Sequence, residues 1–263
     1  MNLLECDPDI DPVTTLVDMT PTSITIGTLL LLGTILSTLP QHFRIIKKRS
    51  SHGISPFFLF LANVGQFSVA LSSVIFGITH LEACSIVGFW KCYPTILAML
   101  NLVGLFVIYF PITVLFLVFF DGKRKEFNLS VTLLITFCTY AASLLFFSFY
   151  LFKNYGKCNI YLLEIGSIAG LISTGINILQ FVPQIIKTYK LKNGGSFSLA
   201  MLLIQAPGAA IMLFFLIISG ENFSVWLSYF TSASQQLILL SLLIKYRKNS
   251  AHKGDPPLLT SIQ

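Results

Sequence analysis

The side chains able to do chemistry in this chain are carboxamides set inside apolar blocks. Asn63 and Gln66, Asn101, Asn177 and Gln180, Gln205, and Gln235 all have hydrophobic surroundings, and Thr231, Ser232, Ser234 and Gln236 cluster around the last of them. The pairs Asn63/Gln66 and Asn177/Gln180 share a spacing of three, which sets each pair on one helix face. Polar groups in hydrocarbon are costly, so they face a cavity or another helix. A carboxamide donates and accepts hydrogen bonds, but it neither titrates nor attacks. The chemistry on offer is therefore recognition. An inter-helical hydrogen bond is the plain alternative for any single amide, and their spread over both halves of the chain favours a shared polar cavity. Gln205-Ala206-Pro207-Gly208 adds small residues and an expected helix break beside one of them.

Charges are missing where they would matter most. No Asp, Glu, Lys, Arg or His lies near the middle of an apolar block. Glu164 precedes Pro183 by about 28 Å of helix and falls at an interface, and Asp121 ends a block. Such a site favours a neutral or zwitterionic small-molecule solute over a cation needing a counter-ion. Metal-ligand spacing, a phosphate-binding glycine loop and a nucleophile–base pair are all lacking, so neither enzymatic activity nor a metal or other cofactor is expected. His42 and His52 flank a basic loop and read as solvated.

The elements that must carry these amides follow from composition. With 54% hydrophobic residues, 11% charged and 24 Phe, a soluble fold is excluded. A bilayer core takes about 20 apolar residues per helix, and backbone groups in lipid must be satisfied within the segment. Seven spans are expected, near 22–40, 54–77, 93–119, 128–152, 160–186, 197–219 and 222–244. The net charge of +6 is distributed by side. Fourteen Lys and Arg cluster at 44–49, 123–125, 187–192 and 245–253, whereas Lys91, Lys153 and Lys157 occupy the alternate connections. The positive-inside bias places the N-terminus in the lumen or outside and the C-terminus in the cytosol. The basic charge thus reads as a topology signal facing the lipid bilayer, and no nucleic-acid partner is expected. The first 21 residues are acidic and lack the pattern of a cleavable signal peptide, so the first span is expected to serve as its own insertion signal.

Four cysteines (Cys6, Cys84, Cys92 and Cys158) fall on the non-cytosolic side and Cys138 lies in a span. Four cysteines allow three pairings. Cys84 with Cys92 is favoured because one loop carries both, with free thiols as the alternative.

A duplication organises the whole. Leu39-Pro40-Gln41 leads through Lys47 to Ser55, and Val182-Pro183-Gln184 leads through Lys190 to Ser198, 143 positions on. Leu36/Leu179, Leu59/Leu202 and Gly65/Gly208 also coincide. Four spans separate the two Pro-Gln pairs, an even number, so both face one side and the repeats run parallel. The fold class expected is an all-α membrane protein with seven transmembrane helices, two parallel three-helix bundles and span four as the linker. The divisions are a lumenal acidic segment 1–21, a first repeat 22–119, a linker 120–159, a second repeat 160–244 and a cytosolic tail 245–263. Proline lacks an N–H and clashes with the carbonyl four residues earlier, here Leu36 and Leu179. Each helix is therefore expected to loosen or kink there, forming a hinge.

These motifs resemble the PQ-loop family, which includes cystinosin, vacuolar and lysosomal cationic amino acid exporters and, more distantly, the SWEET sugar carriers and KDEL receptors. The resemblance implies a three-plus-one-plus-three carrier in which Pro40, Gln41, Pro183 and Gln184 act as hinges for alternating access. In cystinosin-like members an aspartate in span six accompanies proton coupling. Gln205 stands nearest to it here, and an amide does not titrate.

The tail ends Asp255-Pro256-Pro257-Leu258-Leu259, which resembles an acidic dileucine sorting signal in Asp255, Leu258 and Leu259. It would be read by clathrin-adaptor-type coat proteins and points to endosomes, lysosomes or vacuoles. The sequon at Asn128 is expected to be cytosolic and unused, and that at Asn222 sits in a tight turn. The function expected is small-solute transport of an amino acid or similar metabolite in an endolysosomal or vacuolar membrane. The alternatives are a seven-helix sorting receptor and a trafficking or lipid-organising protein without transport. The sequence leaves homo-oligomers open.

Overall fold

In a computed structural model of the chain, the structure describes residues 11–16, 21–192, 197–218 and 223–252. The described residues form a short 3-10 turn, Pro12–Thr15, and nine helices without strands: α1 (Pro21–Lys48), α2 (Pro56–Phe76), α3 (Ile78–Val87), α4 (Phe89–Val118), α5 (Arg124–Tyr155), α6 (Ile160–Leu179), α7 (Val182–Leu191), α8 (Leu199–Ile218) and α9 (Phe223–His252). Five segments are long and apolar enough to cross a membrane: Gly27–Lys48, Pro56–Phe76, Phe89–Val118, Arg124–Tyr155 and Ile160–Leu191. With α8 and α9 following in chain order, the chain is an all-helical, multi-pass membrane protein.

Several boundaries differ from those expected. Residues 78–87, read as loop, form α3, set between Gly77 and a left-handed Gly88 (φ +85°). A side chain at Gly77 would place its Cβ 2.8 Å from the carbonyl of Ser73, so a residue without one allows the chain to turn there. The expected continuous span 160–186 is two helices, broken at Gln180 and Phe181. The last helix runs to His252, past the expected 244, because a basic segment leaving the apolar layer can stay helical. The break expected at Pro207 is absent, since α8 is helical through it. Likewise α1 is helical through Pro40.

The chain divides into two compact units, each drawn from three separated segments. Unit 1 takes residues 1–36, 63–110 and 134–175, and unit 2 takes residues 37–62, 111–133 and 176–263. All four basic clusters fall in unit 2, and Lys91, Lys153 and Lys157 fall in unit 1.

In unit 1, α6 meets α2 through small residues. A Cβ on Gly166 would sit 3.1 Å from Ile75 Cγ2 and 3.2 Å from Phe76 Cε2, and one on Gly170 would sit 3.2 Å from Ser72 Oγ. This is the small-xxx-small contact that lets helix backbones approach in lipid. Span four, α5, is held to α2 and α4 by rings: Phe67 lies 5.5 Å from Phe106, 6.0 Å from Phe137 and 6.1 Å from Tyr140. Ser68 and Tyr140 share a 2.8 Å hydrogen bond beneath them. The linker span is thereby anchored to the first repeat within this unit.

Unit 1 also holds the cross-links. Cys84 on α3 and Cys92 on α4 form a disulfide with Cα atoms 5.1 Å apart, and Cys158 is disulfide-bonded as well. Lys157 pairs with Glu82 at 2.7 Å. Thr15 lies 3.2 Å from His80 Nδ1, docking the 3-10 turn on α3. Burial holds this imidazole below its ordinary pKa, which favours the neutral ring. Cys84→Ser should loosen α3, with the eight-residue closure worth about 2–3 kcal/mol by loop entropy. Limited proteolysis with and without reductant reads this, and an unchanged cleavage rate at 78–88 would refute it.

Candidate functional site

The two Pro-Gln motifs lie in unit 2, the first inside α1 and the second in the first turn of α7. Gln41 and Gln184 are almost fully enclosed, at 2% and 0% exposure. Each glutamine reaches the loop of the other repeat. The backbone N–H of Ser198 donates to Gln41 Oε1 at 2.6 Å, and that of Ser55 donates to Gln184 Oε1 at 2.7 Å. Ser55 and Ser198 are equivalent positions in the duplication, and both cap the helix that follows. Ser55 Oγ accepts from Phe58 N–H at 3.4 Å and Ser198 Oγ from Met201 N–H at 3.2 Å. The result is a reciprocal brace obeying the pseudo-two-fold relation of the repeats.

The second arm is the more heavily tied. Gln184 Nε2 donates to the carbonyl of Gly53 at 2.9 Å and to Thr188 Oγ1 at 3.2 Å. The position equivalent to Thr188 in the first repeat is Ile45, which is apolar and fully buried. Around the brace, Phe58 packs its ring 5.3 Å from that of Phe181 and 5.6 Å from that of Phe197. The charged groups lie outside this shell: Lys187 pairs with Glu126 at 3.4 Å, and Ser50 bonds Asp121. The exposed pair contributes little to stability.

Of the other amides singled out in the sequence, Asn63, Gln66 and Asn101 belong to unit 1, and Asn177, Gln180, Gln205 and Gln235 to unit 2. Asn63 is buried and Gln66 half-buried. Asn101 Nδ2 donates to Leu97 O at 2.9 Å and Gly27 O at 3.3 Å, fastening α4 to α1 where Gly27 lets the helices touch. In unit 2, Gln205 Nε2 reaches Ser37 Oγ at 3.3 Å, and Asn177 is half-buried. Gln180 is buried, with no hydrogen-bond partner for Oε1 among the described residues. Gln235 holds backbone: its Oε1 accepts from Phe181 N–H at 3.2 Å and its Nε2 donates to Ile178 O. Among the sequence-derived residues, Gln205, Gln235 and the two Pro-Gln motifs share one unit with the basic loops. Ser55 and Ser198 were visible in the sequence only as matched positions, and nothing local marked them as partners of the opposite glutamines. Asp255, Leu258, Leu259, Cys6 and Asn222 lie outside the described residues.

Comparison with known proteins agrees with the internal symmetry. Residues 22–80 and 165–225 each match the PQ loop repeat family. Uncharacterized protein C4C5.03 of Schizosaccharomyces pombe is 26% identical, over 93% of this chain and 87% of its own length. A solved eukaryotic SWEET transporter is 14% identical, with a TM-score of 0.49 over 87% of this chain and 96% of that one. The two matched segments contain the two arms of the brace, Pro40-Gln41 with Ser55 and Pro183-Gln184 with Ser198, so each arm falls within a segment that is similar to the PQ loop repeat.

Proposed function

We propose that the protein is a small-solute transporter that works by alternating access, carrying an amino acid or similar neutral or zwitterionic metabolite. It would act in an endolysosomal or vacuolar membrane with its N-terminus lumenal and its C-terminus cytosolic. The observation that carries this reading is the reciprocal Gln41–Ser198 and Gln184–Ser55 brace. It ties the two repeats by two equivalent, separable bonds at the end rich in Lys and Arg, which positive-inside bias assigns to the cytosol. A gate needs contacts that hold one state and can be exchanged for others. Backbone N–H groups donating to side-chain amides meet that need better than a continuous apolar seam would.

Solute recognition falls to Gln180, Asn177 and Gln205 of unit 2. Gln180 offers a buried acceptor with no hydrogen-bond partner among the described residues, suited to the amino group or other N–H donor of a zwitterion, and Asn177 and Gln205 are half-buried, the latter held to Ser37 by one hydrogen bond. Sorting through Asp255, Leu258 and Leu259 would deliver the carrier to its membrane.

The test is flux in proteoliposomes across a panel of amino acids and sugars, with and without a pH gradient. Saturable uptake of at least one neutral or zwitterionic solute is expected, and Gln180→Ala should raise its KM about tenfold, the worth of one hydrogen bond to a charged donor. Absence of flux for the whole panel would overturn the transport reading.

A further inference from the structure

We infer that Gln235 of α9 is the positioning residue of the helix break between α6 and α7, and so sets the geometry of the second-repeat hinge. The hinge role rests on the transport reading above; the bridge itself does not. Helical geometry would pair Phe181 N–H with Asn177 O, and Val182 N–H with Ile178 O. The helix stops at Leu179 and restarts at Val182, so both pairs are open. One carboxamide fills the gap: Gln235 Oε1 accepts from Phe181 N–H at 3.2 Å, and Gln235 Nε2 donates to Ile178 O. Gln235 is 8% exposed and Phe181 5% exposed, so water is poorly placed to do the same.

Other helices with an internal proline give the contrast. Pro40 in α1, Pro111 in α4 and Pro207 in α8 each remove one backbone donor, yet all three helices continue through them. Losing one hydrogen bond is tolerable in an apolar setting, whereas opening a full turn strands several backbone groups unless a partner reaches them. At the break, Gln180 N–H still bonds Ile176 O at 2.8 Å and Ile185 N–H bonds Phe181 O at 2.9 Å. Of the two opened pairs, Gln235 serves one member of each, Phe181 N–H and Ile178 O. Pro183 sits in the first turn of α7, where its missing N–H costs nothing. Proline permits the break, and Gln235 stabilises it. α7 and α9 also pack against each other, so a movement of α9 must change the bend. The two Pro-Gln motifs are thus unequal: bending is concentrated at 178–182, and α1 moves as a continuous rod.

The experiment is hydrogen exchange of the full-length protein in nanodiscs, read on peptides covering 176–186, for wild type, Gln235→Leu and Gln236→Leu. Gln235→Leu should speed exchange at Phe181 about tenfold, the factor corresponding to one net hydrogen bond, while Gln236→Leu leaves it unchanged. Should the leucine variant fail to fold, Gln235→Asn, whose shorter side chain cannot span both groups, is read in the same way. In flux assays, a positioning role predicts a lower maximal rate at unchanged KM. Unchanged exchange in the folded variant would overturn the bridge, and a raised KM at full rate would return Gln235 to solute binding. Faster exchange in Gln235→Leu with no wild-type flux for any solute would uphold the bridge and remove only the transport reading.

Discussion

Gln184→Leu should release the closed end of the protein and lower flux more than tenfold while leaving membrane insertion intact. The side chain is fully buried and spends both of its ends: Oε1 on Ser55 N–H, Nε2 on Gly53 O and Thr188 Oγ1. Leucine fills similar space but leaves a buried N–H and a buried carbonyl without partners, each costing about 1–3 kcal/mol. Even about 2 kcal/mol taken from the braced state moves its ratio to an open state roughly thirty-fold. A cysteine placed at Ser55 should become reactive to a polar thiol reagent in the variant and remain protected in wild type. Equal labelling with equal flux would show that the brace does not gate. Gln184→Glu separates the two ends, since an ionised carboxylate keeps the acceptor for Ser55 and loses the donor to Gly53. It should fall between wild type and leucine.

Gly166→Leu should do more damage to the folded protein than any surface change. The first added carbon already lies 3.1 Å from Ile75 Cγ2, 3.2 Å from Phe76 Cε2 and 3.4 Å from Ile75 Cβ. Ile75 is β-branched and stiff at χ1 and is itself buried at 4% exposure, so it has little room to yield. Three further carbons force α6 away from α2, an overpacking cost of about 1–3 kcal/mol or more. Gly33→Leu is the matched control, because a Cβ there meets nothing within 4 Å. Monodisperse yield after detergent extraction, and the midpoint of thermal aggregation, should fall sharply for the first and stay near wild type for the second. Equal yields would mean that α2 and α6 do not rely on this contact.

The two predictions draw on different kinds of order. Unit 1 is held by permanent features: disulfides, small-residue helix contacts and a ring cluster joining α2, α4 and α5. In unit 2 the distinctive contacts are single hydrogen bonds from glutamines to backbone. Local opening draws on the least costly contacts, so motion is expected where the glutamines are. That assigns the Pro-Gln motifs to the moving part without requiring both prolines to bend.

Much of this protein was decided by its sequence alone. Apolar blocks such as 93–119 are long enough to span a bilayer, and lipid leaves the backbone no alternative to helix there. The repeat of Pro-Gln, Lys and Ser at 143 positions could be read directly, because matched residues keep their order whatever the fold does. Local sequence did not settle what each amide touches. Gln41 meets Ser198 across 157 positions, Gln184 meets Ser55 across 129, and Gln235 meets Phe181 across 54. A carboxamide is equally able to bind solute, side chain or backbone, so its identity carries no address, and only helix packing selects among them. The same reason separates the prolines: Pro40, Pro111 and Pro207 lie inside continuous helices, whereas Pro183 follows a break whose open turn a glutamine from another helix, Gln235, is positioned to serve.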